Sequence, residues 1–482
     1  MRICLVTAHY REFAPLALMY LKARLLAAGF HRDDVEMVEF ELPVTPAEVA
    51  RALIARRADV YGLSCYLWNS SDLLAAAAEV RRALSSATII AGGPDVGSVA
   101  AEVLAAHPAL DLIVKSEGEP VIGVLGDRWL AGRPIDDVPG IVVRRNGAVV
   151  DQGTAPLQVL DDLPSPHLGN VLESFEGRET IQLETQRGCV FRCNFCFENK
   201  GFTLRNRRFP IDRVQQELKL WLDRGVPWIY FLDPVFNLNK ERAKDICRFI
   251  AASNPHGTKF MAEIWAEFVD EELARLMKAA RFEYVEVGLQ STDSETLAGI
   301  ERRLRLQPFL DGVRWLREAG VPTELQLIYG LPGDTMESFW RSLDFAYDLR
   351  PFHLNAFRLL VLPGTELREK AAQFGLRYET HAPYYAIEHS TMSAREMAWS
   401  AEITEVVPAL QKLHVVRTLT REPGVRFSDL IRAWIEQPER DLATGVPAFL
   451  ARFCESRGIP ADFYFKFAAK ELEREPAPVA AS

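Results

Sequence analysis

Three cysteines, Cys189, Cys193 and Cys196, fall within eight residues in the run Arg187-Gly-Cys-Val-Phe-Arg-Cys-Asn-Phe-Cys-Phe197. Thiols at this density hold zinc or an iron–sulfur cluster, so the chain around them must fold into a scaffold that presents one loop rigidly. Gly188, Arg192 and Asn194 make that loop polar rather than part of an apolar core. A structural zinc site normally closes with four protein ligands, and the nearest further Cys or His residues along the chain are His167 and Cys247. A 4Fe–4S cluster on three thiolates instead keeps one iron open for a small molecule. Residues 180–185, just upstream, alternate apolar and polar side chains as a strand does, and residues 211–224 downstream carry a helical pattern. A loop between a parallel strand and its helix lies at the C-terminal mouth of a barrel or open sheet, where ligands collect.

The pattern on either side of the loop predicts an α/β protein. Residues 3–8, 35–40, 60–66, 88–91 and 112–115 read as buried strands, with helices expected over 16–28, 47–57, 72–85, 96–107 and 120–130. Such alternation means a doubly wound parallel sheet, whose carboxyl ends fall at residues 7–10, 64–69, 92–95 and 116–119. Gly92-Gly93-Pro94 permits close backbone approach to a bulky ligand, and it is not the GxGxxG of a dinucleotide site. Asn146-Gly147 between apolar runs predicts a hairpin over 141–150. Prolines 156, 164 and 166 mark a linker. Six strand–helix units follow, with strands over 181–185, 229–232, 260–264, 284–289, 324–328 and 356–361, which predicts an open (β/α)6 partial TIM barrel. The division expected is 1–150, a linker over 151–177, a barrel over 178–376, and a small, mainly helical C-terminal cap over 377–482. Separate cores are expected for the first two domains, and disorder for residues 476–482.

Composition narrows the function classes. A formal charge of −10 over 482 residues argues against a general nucleic-acid binder. No apolar run approaches the roughly 18 residues that cross a bilayer, and the first residues do not read as a signal peptide. Seven cysteines, three of them in one motif, do not make a disulfide framework. Cys4, Cys65, Cys247 and Cys454 read as small buried apolar residues, and a reducing cytoplasm, without membrane or nucleic-acid partners, is the expected setting.

CxxxCxxC with the aromatic Phe195 before its last cysteine resembles the radical S-adenosylmethionine (SAM) superfamily. Gly330-Leu-Pro-Gly-Asp334 is similar to its adenine-loop motif, and Glu286-Val-Gly-Leu-Gln-Ser291 to its ribose-binding strand. Phe231-Leu-Asp-Pro-Val-Phe-Asn237, with the Gly-Gly-Pro and Gly-Glu motifs at Gly92 and Gly118, resembles the branch that carries an N-terminal cobalamin-binding domain. Ser64-Cys-Tyr-Leu-Trp-Asn69, residues 359–365 and residues 384–397 resemble a subgroup with its own C-terminal domain. The resemblance implies a 4Fe–4S cluster on Cys189, Cys193 and Cys196. It implies SAM near Phe195, Asp233, Asn237, Glu286, Gln290, Ser291 and Gly330, although Asp233 and Asn237 could equally fix substrate or cap a helix. It implies cobalamin near Thr7, His9, Ser64, Trp68, Gly92, Gly93 and Glu117. The Asp-x-His-x-x-Gly motif that puts a histidine under cobalt is missing, because His9 sits in Thr7-Ala-His-Tyr-Arg-Glu-Phe-Ala14. Glu263 and Tyr384 are the candidate catalytic groups, with Glu267 and Tyr385 as neighbours of interest. The activity implied is methylation of an unreactive carbon on a small or peptidyl substrate, with electrons from a flavodoxin- or ferredoxin-type donor. The alternatives are a radical rearrangement, ring formation or contraction, or heteroatom insertion, and, in another class, a cobalamin carrier or sensor.

Overall fold

The computed structural model describes residues 1–172, 177–200, 205–437 and 440–460. Seven strands form the first sheet: Ile3–His9 (β1), Val35–Glu41 (β2), Val60–Ser64 (β3), Thr88–Gly92 (β4), Leu112–Val114 (β5), Ile141–Arg145 (β6) and Ala148–Asp151 (β7). Their order is β2-β1-β3-β4-β5-β6-β7. The first five are parallel, and the expected hairpin extends them as two antiparallel strands. Helices Pro46–Arg56 and Ser70–Ala83 bury Val49, Leu53, Leu73 and Val80 against one face. Helices Leu16–Ala27 and Gly118–Leu130 bury Leu18, Leu25, Val121 and Leu125 against the other. The strand order reverses direction between β1 and β3, and ligands of such sheets sit in the crevice beyond the carboxyl ends at that point.

The second sheet is entirely parallel and follows chain order: Thr180–Leu183 (β8), Trp228–Phe231 (β9), Lys259–Ile264 (β10), Phe282–Gln290 (β11), Thr323–Tyr329 (β12) and His353–Arg358 (β13). This is the expected open six-stranded partial barrel. Alternate side chains explain its two surfaces. Phe231, Phe260, Val285, Leu325 and Leu327 are buried in the core outside the strands, while Tyr230, Glu263, Tyr284, Glu286, Glu324 and Gln326 occupy the alternate positions that line the lumen; a register shift after Phe282 lets that ring join the core although Tyr284 lies two residues on.

Both open edges are covered. Beyond β1, residues 12–14 run alongside β8, with Phe13 bridged to Thr180 and the Thr180 amide on the Glu12 carbonyl at 2.9 Å. At the other edge helix Ser400–Lys412 packs on β13. The expected helical cap therefore holds, except that it begins with a short antiparallel pair, Arg377–Tyr378 with Ala386–Glu388. Residues 461–482, including the tail expected to be disordered, lie outside the described residues. The expectation of separate cores fails: Ala14, Leu16, Met19, Tyr20 and Ala23 belong to the same buried cluster as the barrel, so helix Leu16–Ala27 is shared between the two sheets. Among the described residues no helix is long and apolar enough to cross a membrane.

Candidate functional site

The cysteine loop is held from several sides. An antiparallel ribbon, Gln186–Arg187 with Arg207–Arg208, ties the base of the loop to the barrel. Within the loop the Cys196 amide donates to the Cys193 carbonyl at 3.0 Å. Asn194, fully buried, ties the loop down: its amide and side chain donate to the Ile300 and Gly299 carbonyls, and its carbonyl accepts from the Leu367 amide. Phe191 stacks on Trp265 with ring centroids 3.6 Å apart. Burial pushes the Cys189 and Cys196 thiols up, to about 11 and about 12, and Cys193 adds to both shifts through its nearby charge. Among the described residues no three Cys, His, Asp or Glu side chains stand at metal-ligand spacing. The donor chemistry nonetheless fits a metal cluster, which takes thiolates in place of buried neutral thiols, and the loop supplies three. The other four cysteines are buried apart, as expected.

Arg302, which no motif pointed to, stands beside the cysteine loop. Its guanidinium lies 3.6 Å from Cys193 Sγ, donates to the Gly288 carbonyl and covers the Trp265 ring at 4.5 Å. A Cβ on Gly288 would meet the Gln290 side chain at 2.3 Å, so this glycine keeps the approach open. The available signal was the Glu301-Arg302-Arg303 run one short helix after β11, but a surface basic run has the same appearance.

The lumen next to the loop is acidic. Glu263, Glu286, Glu324 and His353 are register partners on β10 to β13 and so stand at one level. Burial pushes the Glu286 carboxyl up to about 8, helped by Glu263 and Glu324, and pushes Glu263 up to about 7, against a 3.5 Å hydrogen bond from the Tyr230 hydroxyl. Tyr284 donates to Glu324, as does Gln326 at 2.8 Å. Gln290 has a left-handed backbone at φ 67° and a buried Oε1 without a partner among the described residues. Phe195 is half-buried against the barrel core.

Several expected ligand contacts are spent elsewhere. Asp233 is buried with its carboxylate on the Thr185 and Gln186 amides, at 2.7 and 3.2 Å, and burial pushes it up to about 7. It anchors the strand end that enters the cysteine loop. Asn237 makes a reciprocal pair with Trp265, both bonds 2.9 Å, so neither residue is open to SAM. Ser291 is buried and accepts from the Asp293 amide. Gly330 has φ 86°, and a Cβ there would lie 2.4 Å from Met397 Cε. Tyr384, expected as a catalytic group, is buried with Arg368 over its ring; burial and the nearby Asp95 of the first domain push its hydroxyl up to about 12. Glu267 is paired with Arg305, and the Tyr385 ring lies under Arg358.

At the switch point of the first sheet, buried Thr7 accepts from Asn69 and buried Ser64 ends β3. His9 Nε2 is 2.9 Å from Glu39. Trp68 is 53% exposed, stacked on Tyr66 at 4.7 Å and fixed by its Nε1 donating to the Ala8 carbonyl. Gly92 has ordinary geometry, whereas Gly93 is obligatory: at φ 111° a Cβ would stand 2.3 Å from the Cys65 carbonyl oxygen. Glu117, expected at cobalamin, turns away to accept from Arg207 and from the Gln158 amide at 3.0 Å. Burial opposes ionisation of Glu117, but Arg207 and Arg187 outweigh it and hold the carboxyl low. The nearness of Asp95 to Tyr384, the packing of Ser98 on Gly364, and these ion pairs bring the carboxyl ends of the two sheets face to face.

Two family models match the chain, one in each sheet-bearing region. Residues 2–125 match the B12 binding domain, and residues 183–346 the radical SAM superfamily. An uncharacterised methyltransferase of Pyrococcus horikoshii is 26% identical over 390 residues, covering 78% of this chain and 84% of that one. The cobalamin-dependent radical SAM methyltransferase TokK of Streptomyces tokunonensis is 29% identical over 341 residues, covering 66% of this chain and 50% of TokK; the matched region is thus about half of that relative. The solved structure of the radical SAM methyltransferase TsrM from Kitasatospora setae, with cobalamin and a [4Fe-4S] cluster bound, superposes with a TM-score of 0.65 at 20% identity, covering 82% of this chain and 81% of that one.

Proposed function

The chain belongs to the cobalamin-binding radical SAM enzymes, a B12-binding domain followed by a radical SAM barrel, and from that premise we propose that it methylates an unactivated carbon of a small or peptidyl substrate held in the barrel lumen. The bound cluster, SAM and cobalamin supply a hydrogen-abstracting radical and a methyl donor. Binding and orientation fall to the chain. Cys189, Cys193 and Cys196 would hold the cluster, and Arg302, 3.6 Å from Cys193 Sγ, would be the cation for the carboxylate of SAM. Gln290 Oε1 and Glu286 accept from the amine or the ribose hydroxyls, and Phe195 and the Gly330 turn border the adenine. Thr7, His9, Ser64, Trp68, Gly92 and Gly93 border the corrin. His9 is engaged by Glu39, which speaks against its ligating cobalt. Glu263, facing Tyr230 across the lumen wall with a carboxyl near neutrality, is the group suited to exchange a proton with substrate. A low-potential flavodoxin- or ferredoxin-type protein of a reducing cytoplasm supplies electrons.

The observation that carries this reading is the opposition of the two carboxyl-end faces, with the cysteine loop on one and the switch point on the other. Holding both groups over one substrate turns an encounter into a first-order step and contributes about 7 kcal/mol or more. With anaerobically reconstituted protein and its substrate, each turnover is expected to give one 5′-deoxyadenosine, one S-adenosylhomocysteine and a product heavier by one methylene. Product and 5′-deoxyadenosine without S-adenosylhomocysteine would replace methylation with a rearrangement, ring-forming or heteroatom-inserting reaction. No SAM cleavage at all would leave a cobalamin carrier or sensor.

A further inference from the structure

The base of the cysteine loop is gripped from outside the barrel. In the ribbon that closes residues 188–206, Arg187 stands directly opposite Arg207. Like charges opposed on neighbouring strands push them apart, and both guanidiniums are largely dry, with side chains 12% and 17% exposed. The barrel contributes one carboxylate, Glu184, which lies 2.8 Å from Arg187. Two more come from the first domain, Glu117 just before helix Gly118–Leu130 and Glu119 in its first turn. Glu117 takes both terminal nitrogens of Arg207 and lies 3.6 Å from Arg187, while Glu119 pairs with Arg187 at 2.7 Å. The Arg187 guanidinium also rests on the Tyr20 ring, 4.8 Å from its centroid, on the helix shared between the domains. Without Glu117 and Glu119, two arginines would face each other with a single carboxylate, where little water reaches to screen them.

We infer that Glu117 and Glu119 are positioning residues for the cluster: the first domain closes the cysteine loop, and the iron site is fully formed only while the two domains are docked. This rests on the reading of Cys189, Cys193 and Cys196 as cluster ligands. Groups that orient metal ligands from beyond the coordination sphere typically change metal affinity 10- to 100-fold.

The test uses the full chain, reconstituted anaerobically with iron and sulfide and then challenged with EDTA while the cluster absorbance is followed. Glu117→Gln combined with Glu119→Gln is expected to lose its cluster about tenfold faster than the unaltered protein. Arg178→Gln is the control. It breaks a different contact between the domains, the 2.8 Å pair with Glu39, at the opposite end of β8, and is expected to keep the cluster at the unaltered rate. Should the double variant fail to fold, Glu119→Gln alone, which leaves Glu117 on Arg207, is expected to speed the loss about threefold. Unchanged loss in the glutamine variants, or equally fast loss in Arg178→Gln, overturns the inference. An unaltered protein that takes up no iron overturns instead the reading of the cysteines on which it rests.

Discussion

Glu286 is flanked at its own level by Glu263 and Glu324 on the adjacent strands, and a carboxylate so placed cannot ionise without meeting another. Its pKa of about 8 lies above that of an unfolded glutamate. Between the unfolded value near 4.3 and about 8 the folded chain therefore holds a proton that the unfolded chain has lost, and stability falls as pH rises through that window. Glu263, at the same level and itself raised to about 7, titrates in the same range, so the window belongs to that pair. Glu286→Gln is accordingly expected to be more stable than the unaltered protein at pH 8.5, by about 1–2 kcal/mol once the solvent in the lumen is allowed for. Most of that gain should vanish at pH 5. Urea denaturation of the cofactor-free protein at the two pH values decides it; a gain of equal size at both would mean that repacking, not ionisation, is responsible. At this scale the sequence was least legible. Asp233, Asn237 and Ser291 are polar residues beside the mouth, as expected, but whether a polar group is free depends on which backbone amides lie within 3 Å, and no residue type announces that.

Strands were the legible elements. Five of the six barrel strands and the first five of the N-terminal sheet lie where their apolar runs put them, because a strand buried on a parallel sheet has a composition that other local structures rarely carry; the sixth barrel strand, expected over 356–361, instead runs His353–Arg358. The hairpin at Asn146-Gly147 was equally plain, but its place as an antiparallel extension of the first sheet was not, since a turn signal fixes a pair and not its neighbour. The helix expected over 96–107 is two, Pro94–Gly97 and Ala100–Ala106. Between strands, the loops are fastened by single side chains. Asn237 joins the ends of β9 and β10 by gripping both the amide and the carbonyl of Trp265, the residue on which Phe191 of the cysteine loop stacks. Asn237→Ala would leave the Trp265 amide without its partner, while the Trp265 carbonyl keeps the Phe268 amide at 3.1 Å; one such lost partner costs about 1–3 kcal/mol. A loss of about 2 kcal/mol is expected in chemical denaturation, with increased mobility at Phe191. A loss under 1 kcal/mol would mean that water replaces the amide.

The whole molecule is more integrated than its two domain matches suggest. Patterning along the chain marks where one sheet ends and the next begins, yet it cannot report that helix Leu16–Ala27 is apolar on two sides, for the first sheet and for the barrel. Leu18 and Leu25 face the former; Leu16, Met19, Tyr20 and Ala23 face the latter. Fully burying a large apolar side chain is worth about 1.5–3 kcal/mol, so exposing Leu16, Met19 and Tyr20 together would cost roughly 5 kcal/mol or more, the order of a small domain's entire stability. The neighbouring edge of the barrel would lose residues 12–14 at the same time. A fragment of residues 1–155 is therefore expected to self-associate or to bind a hydrophobic dye, and to hold hydroxocobalamin more weakly than the full chain. Adding a separately produced fragment of residues 156–482 should restore a monodisperse complex and tighter binding. A monomeric 1–155 fragment that binds hydroxocobalamin as well as the full chain would show instead that the shared helix serves only to dock the barrel, and that the corrin site is complete without it.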